Sequence, residues 1–413
     1  MKRNQKLLLG FASLFTLVLI LGQIFSYPNT LKDLVTDKFS RDTVLTYPFL
    51  YSLFAPFFLF ADHLTILSLE QHITFIVTVT VLWLWIRFYL KSGSSFGIKL
   101  ILKEIGFLFL FEGFITLLYA AVILVPRPMA ALKAQDPDTI VVDFHTHTQN
   151  SWDARKSFSI QKNLNWHAGA GFHSAFITDH NVFPELVPLD HKGVKALHGE
   201  EVSLYRSHWV LLGNRAVVPN QPYDDGLGGI EKFVREMKSV TPRVVIASLP
   251  EYWFYHWGDS LEKFVDWGID GFEIANSAPL ALDFPIEFRQ AIIHLARKRN
   301  LVVTGISDNH GWGSTCYVWN LMKIPNWRSL SSSDLEQTIL NQINREKFNA
   351  VKVLVRVKHE ARPFGARHYL DSFFQIGEVC KSLSWQLAAI TLLWIWIPLV
   401  FILKFSIKNK NES

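Results

Sequence analysis

Long uninterrupted apolar runs stand at both ends of the chain, and short, regularly interrupted ones fill its middle. Residues 7–25 carry no charge and follow Lys2, Arg3 and Lys6. The run is too long for the apolar part of a secretory leader. It leads into Ser26-Tyr27-Pro28 rather than a small-residue cleavage site, so it predicts a retained transmembrane helix. Residues 73–90 and 105–125 predict two further spans, the later one holding Glu112. Residues 385–404 predict a C-terminal span in which Trp385, Trp394 and Trp396 serve as interfacial or packing aromatics. The stretch 47–69 is Phe-rich but contains Pro48, Pro56, Asp62 and His63. It fits a span, a re-entrant piece or an interfacial helix. Residues 1–126 therefore read as a membrane region with three or four spans.

Lysines near the spans set an orientation. Lys91, Lys99 and Lys103 lie between the spans 73–90 and 105–125, and Lys404, Lys408 and Lys410 follow the last one. One helix separates each group from residues 126–384. The excess of basic residues in cytoplasmic loops then predicts an integral protein of the cell (inner) membrane with its middle domain facing outward. Arg127, Lys133, Arg367 and Lys381 flank that domain on its own side and weaken the bias.

Between the spans the texture changes. Short β-like runs at 140–147, 174–180, 195–203, 208–213, 243–247, 271–275 and 301–307 alternate with amphipathic helical patterns at 229–240, 286–298 and 333–344. A piece at 351–355 adds an edge or an eighth strand. Strand–helix repetition over 139–355 predicts an α/β domain, either a barrel or a doubly wound sheet. Residues 356–384, with Lys358, His359, Arg362, Arg367, His368, Phe373 and Phe374, read as an amphipathic or solvated connector back to the bilayer.

Composition narrows the classes. The 413 residues are 49% hydrophobic and 19% charged, which excludes a disordered chain. Cys316 and Cys380 are the only cysteines, so a disulfide framework and a CxxC zinc ribbon are excluded. The net charge of +5 is dispersed rather than gathered in a stripe, which disfavours nucleic acid as a partner. Few charged groups lie at membrane depth beyond Asp62, His63 and Glu112, which is thin for a transport path.

Three apolar runs end in similar polar clusters: Asp143-Phe-His145-Thr-His147, Thr178-Asp-His180 and Ser307-Asp-Asn-His310. In a strand, residues two apart share a face. Asp143, His145 and His147 are therefore expected on one face, with Asp308 and His310 repeating the spacing. C-terminal strand ends form the mouth of α/β barrels, so the clusters are expected to meet there. Imidazole and carboxylate without thiolate suit Zn, Mn or Fe with open coordination positions. Every histidine of the fifteen except His63 and His72 lies from His145 onward.

The motifs His145-Thr-His147, Thr178-Asp-His180, Gly199-Glu-Glu201, His208 and Ser307-Asp-Asn-His310, in that order over residues 139–345, resemble the PHP (polymerase and histidinol phosphatase) superfamily of metal-dependent phosphoesterases. The resemblance implies a distorted (β/α)7 barrel, here flanked by transmembrane helices, with two or three divalent ions. It implies that His145, His147, Glu201 and Asp308 hold one ion. Glu201 bridges to a second, joined by His208, and Asp153, His180 and His310 hold a third. Two departures stand out. Trp152 occupies the place of the family's aspartate, with Asp153 one residue later. No histidine precedes Pro250, where the chain reads Ala247-Ser-Leu-Pro250; His256 is an alternative donor or an ordinary loop or core histidine.

Blander roles remain open for several residues. Asp179 fits a helix cap, and Ser307 a cap or a support for Asp308. Arg155 and Arg206 fit surface charge or a phosphate contact, and Glu273 a pocket wall or a barrel carboxylate. His167, His173, His191 and His198 match no motif and read as structural. The expected function is a membrane-anchored, metal-dependent hydrolase of phosphate esters that uses a metal-bound hydroxide on a phosphorylated small molecule or lipid. The alternative is a degenerate metal-binding sensor or scaffold without catalysis.

Overall fold

The interrupted apolar runs of the middle segment fold as the strands of one mixed sheet in the computed structural model, which describes residues 3–91, 97–183, 190–240, 242–279, 281, 285–360 and 369–411. The positions Arg362, Arg367 and His368 of the expected connector lie outside the described residues. Contacts divide the chain into a unit made of residues 1–30, 48–128 and 357–413 and another made of residues 31–47 and 129–356.

In the second unit the strands are β1 (Leu31–Asp33), β2 (Lys38–Phe39), β3 (Thr43–Thr46), β4 (Ala131–Ala134), β5 (Thr139–Thr146), β6 (Ser174–Ile177) and β7 (Asp190–His191). They continue as β8 (Val194–Leu204), β9 (Ser207–Leu212), β10 (Val244–Ser248), β11 (Gly271–Asn276), β12 (Val302–Ile306), β13 (Val318–Lys323) and β14 (Lys352–Arg356). The main sheet runs β12-β11-β10-β9-β8-β6-β5-β13-β14-β1-β2, and β3 pairs with β4 apart from it. Every residue of β5 and of β10 is buried, as expected of strands covered on both faces. Helices Ile160–Ala170, Gly226–Lys238, Ile286–Arg299 and Ser332–Glu346 are among those that follow the strands.

The unit reaches beyond residues 139–355. Leu31–Tyr47 belongs to it, because β1 pairs antiparallel with β14 and β3 with β4. Leu31 is fully buried in a core with Val141, Trp319 and Leu354.

A barrel needs its first and last strands joined. Here β5 and β12 share no ladder. One isolated parallel bridge, Thr146 to Asn309, links the segments at their ends, with Asp308 N–H donating to His145 O at 3.0 Å and His147 N–H to Asn309 O at 3.1 Å. Below that bridge a side chain does the joining. Asn320 on β13 donates to Val142 O on β5 (3.0 Å) and Gly305 O on β12 (2.7 Å), and accepts from Gly305 N–H (2.8 Å). Gly305 must be glycine, since a Cβ there would overlap Val318 Cγ1. As paired, the sheet is open, where the resemblance implied a barrel.

The first unit is helical. Arg3–Ile24, Leu69–Lys91, Ile98–Leu124 and Trp385–Lys404 are long and apolar enough to cross a membrane. Large side chains such as Leu14, Phe109 and Leu117 are more than half exposed along them. Residues 47–69 form two short helices, Phe49–Leu53 and Ala55–Thr65, of 5 and 11 residues. Neither is long enough to span a bilayer, which takes about 20 residues. Buried Asp62 is held by Tyr51 OH (2.7 Å) and Arg127 Nη2 (3.2 Å).

Candidate metal centre

The carboxylate of Glu201 is the middle of the site. It sits on β8 beside the end of β6, where an isolated parallel bridge joins His180 to Glu201. Gly199, two residues earlier, permits this approach, because a Cβ there would come within 2.7 Å of Thr178 Cγ2. Oε2 of Glu201 lies 3.0 Å from His145 Nε2, 3.2 Å from His147 Nε2 and 3.0 Å from His180 Nδ1. Its Oε1 lies 2.9 Å from His208 Nδ1. Asp308 Oδ1 is 3.2 Å from His147 Nε2 and 3.7 Å from His145 Nε2. Asp153 Oδ2 is 3.3 Å from both His180 Nε2 and His310 Nε2. The structure thus brings together all the residues expected to hold ions.

All of them but Asp153 fall into three groups whose candidate ligand atoms lie within 4.8 Å of one another: His145, His147 and Asp308; His180, Glu201 and His208; His147, His180 and His310. Donor atoms on a tetrahedral Zn at about 2.1 Å would lie roughly 3.4 Å apart, which matches these separations. The chemistry of the cluster also fits cations. His145 Nε2 and His147 Nε2 face each other at 3.0 Å while both approach the same carboxylate. Buried Asp153 Oδ1 has no hydrogen-bond partner, and Glu201 Oε1 and His310 Nε2 have near neighbours, His208 Nδ1 at 2.9 Å and Asp153 Oδ2 at 3.3 Å, without hydrogen-bond alignment. Buried polar atoms are normally satisfied, so such a collection asks for a ligand.

Electrostatics without an ion show what the cluster must balance. Burial alone would lower the pKa of His145, but Glu201 and Glu273 outweigh it and raise it well above the ordinary value. Burial likewise opposes, and Asp308 and Asp153 overcome, a rise of His310 to about 9. Glu201, despite burial that would raise it, is held well below the usual carboxylate range by His180, His145 and His208.

The shell behind these residues is built from polar contacts that sequence reading resolved only in part. Glu273 Oε1 meets His145 Nδ1 at 2.9 Å, and its Oε2 accepts from Ser248 Oγ (2.7 Å) and Leu249 N–H (2.8 Å). His147 Nδ1 meets Ser151 Oγ at 2.9 Å, and Ser151 donates to Asp179 Oδ1 at 3.0 Å. Asp179 also accepts from Thr148 N–H and Oγ1. It therefore braces the loop after β5 rather than capping a helix. Asn276 Nδ2 donates to Asp308 Oδ2 at 3.1 Å. Asp308 adopts φ 46°, a strained setting of the kind found at functional sites.

Other expectations change. Asp143 does not point into the cluster with His145. Its carboxylate meets His167 Nε2 (2.8 Å) and the Ser307 hydroxyl. The reason is a register shift between Asp143 and Thr146 in the β5–β6 pairing, which breaks the two-residue alternation. Glu200 faces away from Glu201 and accepts from Val218 N–H at 3.1 Å. Leu249, before Pro250, is buried with φ 57°. The ring of Tyr252, three residues on, packs edge-on against His208 at 4.9 Å. Arg206 lies in the two-residue β8–β9 turn, and Arg155 N–H donates to His310 O at 2.9 Å. His198 pairs with Glu336 at 2.9 Å, away from the cluster.

No family model matches the chain, and no curated protein matches it in sequence. Solved structures are similar at a distance. PsfC from Pseudomonas syringae is 15% identical over 59% of this chain and 98% of its own, with a TM-score of 0.36. A protein from Bifidobacterium adolescentis described as a metal-dependent phosphoesterase is 16% identical over 41% of this chain and 87% of its own, at 0.29. The lesion-specific endonuclease Q from Pyrococcus furiosus is 12% identical over 49% of this chain and 56% of its own, at 0.33. Likenesses this distant assign neither a family nor a reaction, and the functional reading rests on the side chains themselves.

Proposed function

We propose that the chain is a membrane-anchored, metal-dependent phosphoesterase of the PHP type, with its donors gathered at the ends of β5, β6, β8 and β12 of the open sheet. The carrying observation is Glu201, whose two carboxylate oxygens approach four imidazoles. A carboxylate so shared is the natural bridge between neighbouring cations. His145, His147, Glu201 and Asp308 would hold one ion, Glu201 and His208 a second, and Asp153, His180 and His310 a third. His180 also reaches Glu201, so it borders two of these positions.

Divalent Zn, Mn or Fe ions, when bound, acidify water and supply positive charge for phosphoryl oxygens. The chain's own residues do the positioning. Glu273 fixes the ring of His145 through Nδ1, Ser151 and Asp179 fix that of His147, and Asn276 orients Asp308. Such contacts select the ring nitrogen that faces the ion. A non-catalytic sensor is the second reading, favoured by one observation: buried Leu249 stands where the family carries histidine, so fewer protein donors serve the position beside His208.

The anchoring reading follows from connectivity. The pairs β1–β14 and β3–β4 keep residues 31–47 and 129–356 on one side of a bilayer. An even number of crossings must separate them, and Leu69–Lys91 with Ile98–Leu124 supply two. The pair of short helices in 47–69 then does not cross. With Lys91, Lys99 and Lys103 cytoplasmic, the metal-binding unit faces outward. Its substrate would be a phosphorylated small molecule or a lipid head group.

The test uses the full chain in detergent with added Mn, Zn or Fe, against p-nitrophenyl phosphate and its diester. Turnover that is abolished in His147→Ala supports the enzyme. Ion binding with no turnover on any phosphate ester supports the sensor. Because an endonuclease Q structure is described as a complex with duplex DNA, an oligonucleotide duplex belongs in the screen. Its cleavage would replace the small-molecule reading.

A further inference from the structure

The strands β5, β6 and β8 run parallel, and the ends opposite the metal centre border a cavity of about 560 Å³. Thr139, His173 and Lys195, at or next to the starts of these strands, line it, whereas His145, His180 and Glu201 come later along the same stretches. Six residues separate Thr139 from His145, and at about 3.3 Å each they set the cavity roughly 20 Å from the metal centre. Its volume falls in the range of small-molecule sites, about 300–1,000 Å³.

The wall is rich in cations. Lys133, Lys192, Lys195 and Arg328 line it, and among the described residues none of the four forms an ion pair. Of the two acids on the wall, Asp136 is paired with Lys323, and Asp190 stands exposed. Two of the cations are held by contacts that use only part of their donors. Arg328 Nη1 donates to Pro137 O at 2.5 Å, with the guanidinium 4.3 Å from the centre of the Trp327 ring. Lys195 is 9% exposed, and its Nζ donates to Leu330 O.

His173 adds a neutral donor beside them. Its Nδ1 accepts from Val141 N–H at 3.0 Å, which leaves the ring proton on Nε2. Burial and the nearby Arg328 push its pKa down to about 4, so the ring is neutral at pH 7. It packs against Trp327 at 4.4 Å, and its carbonyl accepts from Lys195 N–H at 3.0 Å. Leu132, Phe172 and Trp327 give the wall an apolar part.

Water can accept from these donors but cannot offset four like charges around one cavity. Guanidinium and ammonium groups together suit phosphoryl oxygens. A phosphomonoester brings about two negative charges at neutral pH, where a carboxylate brings one.

We propose that this cavity binds a small phosphomonoester, whose phosphoryl oxygens accept from Arg328, Lys195 and His173 Nε2 and whose organic part lies against the apolar wall. The site goes beyond the hydrolysis proposed above, since none of the candidate ion ligands lines it. It binds and does not cleave.

The experiment titrates the full chain in detergent, stripped of metal on a chelating resin, by calorimetry. The probes are glucose 6-phosphate, glycerol 3-phosphate and adenosine 5′-monophosphate, with inorganic phosphate and gluconate for comparison. At least one ester is expected to bind. Inorganic phosphate should be about tenfold weaker for want of an organic part, and gluconate about tenfold weaker for want of a second charge. Arg328→Gln and Lys133→Gln replace exposed side chains, so the fold is kept. Arg328→Gln should weaken the ester about 10- to 100-fold, the effect of a charge-assisted hydrogen bond, and Lys133→Gln less. His147→Ala, in the metal centre, should leave binding unchanged. Binding by none of the three esters, or equally in the native chain and Arg328→Gln, would overturn the inference. So would binding that needs added Mn or is lost in His147→Ala, which would assign the ester to the metal centre. Gluconate or inorganic phosphate binding as tightly as the esters would overturn the ester assignment.

Discussion

Glu273 Oε1 lies 2.9 Å from Nδ1 of His145, so that the other nitrogen of the same ring, Nε2, is turned toward Glu201 and His147. A residue 128 positions away in sequence thereby sets which nitrogen can bind an ion. Glu273→Gln keeps the shape but removes the carboxylate. Ion affinity should fall about 10- to 100-fold, the usual cost of losing such a partner. Titration calorimetry with Mn or Zn on the full chain checks this; unchanged affinity would show that Glu273 only fills space.

Proton competition gives a second expectation. His310 in the ion-free protein has its pKa raised to about 9, because Asp308 and Asp153 outweigh the burial that would lower it. Its ring is then protonated at neutral pH, and an ion must displace that proton. Affinity should therefore rise with pH up to about 9, and binding below that pH should release protons. Calorimetry in buffers of different ionisation enthalpy reads the release directly. An affinity flat from pH 6 to 9 would contradict it.

Residues 31–47 should behave as part of the unit that carries the His/Asp/Glu cluster. Leu31 is fully buried against Val141, Trp319 and Leu354. Leu31→Ala should destabilise that unit by about 2–5 kcal/mol, as other buried leucine truncations do. Denaturant unfolding followed by the chain's tryptophan fluorescence, to which buried Trp319 contributes, measures it. An unchanged midpoint would place this segment outside the unit.

Joining β5 to β12 through Asn320 depends on close packing at Gly305, where a Cβ would overlap Val318 Cγ1. Gly305→Ala should cost about 1–3 kcal/mol by overpacking. Asn320→Leu should cost a comparable amount, because Gly305 N–H loses its acceptor. Thermal unfolding of both variants is the check.

Much of this was readable from the chain. Apolar runs ending in His and Asp marked β5, β6, β12 and the donors at their ends, because burial on both faces forces continuous apolar sequence. What escaped has physical causes. The strands β1–β3 are only 2–4 residues long and lie between apolar helices, so no periodicity announces them. β13 carries Asn320 at its centre, a polar residue whose purpose appears only once β5 and β12 flank it. The misplaced face of Asp143 came from an irregularity in pairing that no residue type advertises. Trp152 is 76% exposed, and it is Asp153 that reaches His180 and His310, a one-residue offset that follows loop shape rather than strand alternation.

The most direct measurement counts ions. The full chain, loaded with Mn or Zn and freed of excess by gel filtration, is analysed by inductively coupled plasma mass spectrometry beside Glu201→Gln. The account predicts two or three ions per chain in the native protein and at most one in the variant, because the shared carboxylate is lost from more than one position. A native chain that retains no ion, or a variant that retains as many as the native chain, would contradict it.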